Sequence, residues 1–173
     1  MKVSFYVLSE NKAQDFLGFI CQLTQTALNK SAQSLLILIE SDDALLSTLD
    51  EAFWAHDATS FIPHQRLLDS NVGDVDGSDT DTDTSNTENT VINPINSQPL
   101  APVLLGSYMP TDFKGIVLNT TIHPVNDFMA ATNNAQPTRV LELIKPDANS
   151  VQEGRHKYKS YKQLGYELTH FKV

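Results

Sequence analysis

Apolar positions fall into two alternating spacings along this chain. Residues 2 to 8, KVSFYVL, are β-branched and aromatic in near alternation, the pattern of a strand. A helix is predicted next. Asn11 is its expected N-cap, and Ala13, Phe16, Leu17, Ile20, Cys21, Thr24, Ala27 and Leu28 recur at three- and four-residue spacing along one face. Ser34 to Ile39, SLLILI, is a continuous apolar run, as expected of a strand covered on both faces in a parallel sheet. Ser41 is placed to cap a second helix, with Asp42 and Asp43 near its positive end and Leu45, Leu49, Ala52 and Phe53 on its buried side. Strand, helix, strand, helix predicts an α/β layered fold.

From Asp69 to Gln98 the composition changes to Asp, Thr, Ser, Asn and Gly, with no aromatic residue. Such a segment buries too little surface to offset its ordering entropy, so disorder is expected there. Three further strands are predicted at 101–105, 115–119 and 139–144, with helices at Val125 to Thr132 and Ser150 to Leu164. Tyr166 to Val173 is expected to lie extended along a sheet edge. Residues 1–173 thus read as one Rossmann-like layered α/β domain, with a mostly parallel central sheet, helices on both faces and an acidic insertion at 69–98.

With 173 residues, 40% of them hydrophobic, the chain can bury roughly two-thirds of its unfolded surface without staples. Its single cysteine excludes a disulfide framework and a Cys-rich zinc site. No apolar run approaches the roughly 20 residues of a membrane span, and the start does not read as a signal peptide. A cytoplasmic protein without membrane contact is the expectation. The net charge of -9 is unevenly placed. Seven acids and no base lie between Asp69 and Thr90, which leaves 14 acids against 12 bases elsewhere, or -2. From Lys145 to Val173 six bases face three acids.

No G-x-G-x-x-G, phosphate loop, H-E-x-x-H or nucleophile elbow is present, so the sequence offers no cofactor or metal motif and no catalytic constellation. His56, His64, His123, His156 and His170 are scattered, and read as surface or loop residues. Cys21 falls on the apolar helix face and reads as a small buried hydrophobe. Asp74 to Asp83 alternates acids, but Gly77 stands fourth from Asp74, not sixth, which fails the calcium loop.

Two constellations carry chemistry. Trp54 ends a helix, and Phe61, Pro63 and His64 follow in SFIPH. Trp and Phe at such a junction either close the core edge or anchor an interface. On the last helix, Arg155, Tyr158, Lys159 and Lys162 stand at i, i+3, i+4 and i+7 and share a face. Arg grips carboxylates with paired bonds and Tyr walls an aromatic side chain. The face suits an acidic peptide or phosphates, or is a plain solvated basic surface.

The N-terminal FYVL strand, the LDEAFW helix end, SFIPH and RHKYKSYKQLGY together resemble the chi subunit of bacterial DNA polymerase III holoenzyme, along nearly all of the chain except 69–98. The resemblance implies a non-catalytic adaptor with two partners. One is the psi subunit of the clamp loader, at Trp54, Phe61, Pro63 and His64, a surface for which a helicase competes in some bacteria. The other is the acidic C-terminal tail of single-stranded DNA-binding protein, ending in Pro-Phe, at Ile144, Arg155 and Tyr158 with Lys159 beside them. A family lysine one turn before the arginine is Val151 here, which implies a less basic pocket. DNA is then contacted only indirectly. The competing class, a small α/β hydrolase or nucleotide-binding protein, needs a convergent nucleophile, base and oxyanion donor that this sequence does not supply.

Overall fold

A computed structural model describes residues 1–41, 44–55, 61–67 and 101–173. Its elements run β1 (Lys2–Val7), α1 (Glu10–Gln14), α2 (Phe16–Lys30), β2 (Leu35–Leu38), α3 (Leu45–Ala55), β3 (His64–Arg66), β4 (Val103–Gly106), β5 (Ile116–Asn119), α4 (Val125–Ala130), β6 (Arg139–Ile144), α5 (Ala148–Gln163) and β7 (Glu167–Lys172). The strands form one sheet in the order β3-β4-β2-β5-β6-β1-β7. Every pairing is parallel. This is the layered α/β architecture that the sequence predicts.

The apolar run of β2 explains its central place. Strand side chains alternate between faces, so Leu35 and Ile37 enter one core with Ile20, Cys21, Leu49 and Phe53 from α2 and α3. Leu36 and Leu38 enter the other with Val125 of α4 and Tyr161 of α5. Phe53 and Leu49 are fully buried, each worth roughly 1.5–3 kcal/mol of transfer free energy. The first strand and the last occupy the far half of the sheet, where β1 lies between β6 and β7.

Several local boundaries differ from expectation, β4 starting at Val103 and α4 ending at Ala130 among them, and three of the differences have a visible cause. The predicted first helix is broken: α1 follows Ser9, not Asn11, and Asp15 (φ -101°, ψ 51°) separates α1 from α2. Gly18 makes room for that break, because a Cβ there would lie 2.4 Å from the Asp15 carboxylate. α5 starts at Ala148, two residues early, since Asp147 caps it by accepting from the Ser150 N–H at 2.9 Å. That bond holds the Asp147 carboxyl below its ordinary pKa. Residues 64–66, expected in a loop, form the edge strand β3 beside β4. The expected cap involving Asp42 and Asp43, and the 69–98 insertion, lie outside the described residues.

Candidate interaction sites

The basic face of α5 meets the carboxyl ends of β6 and β1. Gly154 permits the close approach, its missing Cβ leaving space that Ile144 Cδ1 occupies. The result is a cavity of about 270 Å³ lined by Phe5, Val7, Ile144, Val151, Gly154, Arg155, Tyr158 and His170. Three of the four residues expected to act together, Ile144, Arg155 and Tyr158, therefore share one cavity. Lys159 is exposed and lies outside its lining. Arg155 is exposed and forms no ion pair among the described residues, so its guanidinium is available for a carboxylate. Sequence reasoning missed Phe5, Val7 and His170. Phe5 and Val7 could have been found from the alternation of β1, but His170 depends on the β1–β7 register, which pairs it with Phe5.

Beneath this face α5 is fastened by a buried polar network. Glu142 accepts from Lys157 Nζ at 2.8 Å, from Asn119 Nδ2 at 2.9 Å and from the Tyr161 hydroxyl. Lys157 also donates to the Thr121 carbonyl, and Tyr161 accepts from the Val125 N–H at 2.8 Å. Burial pushes the Glu142 carboxyl above its ordinary pKa, with Lys157 pulling in the opposite direction. Burial also raises the Tyr161 hydroxyl, reinforced by the Glu142 charge. The network spends its donors and acceptors internally, on positioning the helix.

The second constellation lies at the other edge of the sheet. Trp54 is 65% exposed and Phe61 48% exposed, with ring centroids 4.6 Å apart at 30°. A Trp closing the core edge would not show two-thirds of its surface, so this pair is an exposed aromatic platform. Pro63 is exposed beside it. His64 departs from the surface position expected for it. Its side chain is 1% exposed, with Nδ1 donating to the Ile62 carbonyl at 2.7 Å and Nε2 2.8 Å from Asp50 Oδ1. The rings of Phe53, Trp54 and Phe61 surround it. It supports the platform from below. Cys21 is buried as expected, and burial raises its thiol pKa. His56 lies outside the described residues.

Among the described residues no helix is long and apolar enough to cross a membrane. Comparison with known proteins places the fold and the family separately. A chain in a structure of S. cerevisiae Dbp5 bound to Nup159, Gle1, IP6 and ADP is similar in fold, with a TM-score of 0.56 and 11% identity. The match covers 98% of this chain and 41% of that one, and at this identity speaks for the fold alone. The search of curated proteins found no match. Residues 1–169 match the family described as DNA polymerase III chi subunit, HolC. With that match running over nearly its whole length, the chain belongs to the chi subunit family of DNA polymerase III, an accessory subunit of the replication machinery.

Proposed function

We propose that this chain is a non-catalytic adaptor that couples the DNA polymerase III holoenzyme to coated template. On this reading it binds the psi subunit of the clamp loader through the platform of Trp54, Phe61 and Pro63, with His64 holding the platform in place. It binds the acidic C-terminal tail of single-stranded DNA-binding protein at Ile144, Arg155 and Tyr158, with Lys159 adding positive potential nearby. The observation that carries the reading is the cavity under α5: an apolar cup of about 270 Å³ with an exposed arginine at its wall that forms no ion pair among the described residues. An aromatic side chain followed by a terminal carboxylate matches both features, the ring against Ile144 and Tyr158, the carboxylate on Arg155.

A helicase that competes with psi would use the same aromatic platform. Direct DNA binding is disfavoured by charge, since six bases among the last residues neutralise few phosphates on a body that is already negative. The adaptor works in the cytoplasm as one domain, and the 69–98 insertion is an addition to it. Titration of the chain with a labelled acidic peptide ending in Pro-Phe, in parallel with a labelled single-stranded oligonucleotide, tests the reading. Binding to the peptide and not to the oligonucleotide is expected. Tight DNA binding without peptide binding sinks it.

A further inference from the structure

We propose that β7 forms a third wall of the tail cavity and sets its preference, His170 gripping the terminal aromatic ring and Lys172 adding a cation at the rim. The inference rests on the tail reading above. The register of the sheet carries it. Phe5 pairs with His170 and Val7 with Lys172, and both Phe5 and Val7 line the cavity. Because strand side chains alternate, His170 and Lys172 share the face that Phe5 and Val7 present to α5.

His170 itself lines the cavity. Its ring stacks on Phe5, with centroids 5.2 Å apart and planes at 14°, and stands 5.3 Å from the Tyr158 ring. An entering aromatic side chain therefore meets the accessible rings of Tyr158 and His170, the latter held in place by stacking on the fully buried Phe5, and aromatic rings prefer one another in offset or edge-on contact beyond simple area burial. An aliphatic side chain of similar size gains only the area. Lys172 forms no ion pair among the described residues, and its flexible stem can bring the ammonium to the rim while packing along the strand. Arg155 lines the cavity and Lys172, outside its lining, stands next along the same face of β7 opposite Val7, so both cations flank a cavity whose remaining lining carries no fixed charge.

The test uses the full chain and fluorescein-labelled acidic peptides ending in Pro-Phe or Pro-Leu, read by anisotropy. His170→Ala is expected to weaken the Phe peptide about five- to tenfold and to remove the preference for Phe over Leu. His170→Phe keeps that preference. Lys172→Gln weakens both peptides about two- to fivefold and flattens the salt dependence. Wild-type affinity and preference in His170→Ala overturn the aromatic wall, and unchanged binding by Lys172→Gln overturns the cation. The parent reading fails separately and visibly: it falls if the wild-type chain binds neither peptide or if Arg155→Ala binds as well as wild type.

Discussion

Arg155 and Trp54 give the simplest separation of the two proposed surfaces. Arg155→Ala or Tyr158→Ala is expected to weaken tail binding by roughly 1 to 3 kcal/mol and to leave psi binding intact. Trp54→Ala is expected to do the reverse. Calorimetry with each partner checks both, and one substitution abolishing both interactions in a folded chain would contradict the two-surface account. Gly154 allows a subtler experiment. A Cβ there meets the end of the Ile144 side chain at 2.4 Å, a group that can rotate away toward the cavity. Gly154→Ala should change stability by less than about 1 kcal/mol, because helix propensity offsets the crowding. It should still lower tail affinity, since Ile144 then fills the space that the ligand needs. Arg155 and Tyr158 were legible in the sequence because helical spacing is a local signal. His170 was not, since its neighbours Phe5 and Tyr158 reach it only through a strand pairing that joins the two ends of the chain. His64 was misplaced for a related reason: its partner Asp50 stands 14 residues away, across a helix end.

At the scale of elements, α5 is the piece on which the proposed cavity depends, and its fastening to β6 is polar as well as apolar. Removing the Lys157 ammonium leaves Glu142 as a buried carboxylate without its counter-charge. Lys157→Met is expected to destabilise the chain by about 3–5 kcal/mol near pH 7, measured by urea unfolding. The pH dependence has a definite sign. Glu142 has a folded pKa above its unfolded value, so its contribution is fully present below the unfolded value and is lost as pH rises through the folded one. The loss of Lys157 raises the folded value further. The difference between variant and wild type should therefore shrink as pH falls from 7 toward 4.5, and a constant difference would exclude Glu142 as its source. The long elements were legible because β2 and α2 carry strong periodic signals. The three-residue β3 was not: Pro63 precedes it, and a strand of that length acquires its identity from pairing with β4. The helix break at Asp15 was equally hidden, as the apolar spacing runs through it unchanged.

Over the whole molecule, the sheet itself keeps the two sites apart. The aromatic platform lies at the β3 edge and on the α3 side, and the cavity lies over β6, β1 and β7 on the α5 side. Five strand spacings of about 4.8 Å put roughly 25 Å between them, beyond two Debye lengths at physiological salt. Saturating the chain with psi should therefore leave the tail dissociation constant unchanged within about twofold. A larger shift in calorimetric titration would reveal a coupling that the rigid sheet does not provide. Tail binding should weaken with added salt, whereas binding at the uncharged Trp54–Phe61 platform should not. The strand order also fixes a schedule of manufacture. Translation delivers β1 first, yet both of its neighbours come from beyond residue 138, so residues 8 to 138 are made while that strand has neither partner. The platform is encoded by residue 64 and the cavity is complete only at His170. A chain that stops before β7 can therefore carry the platform without the cavity, whose lining needs His170.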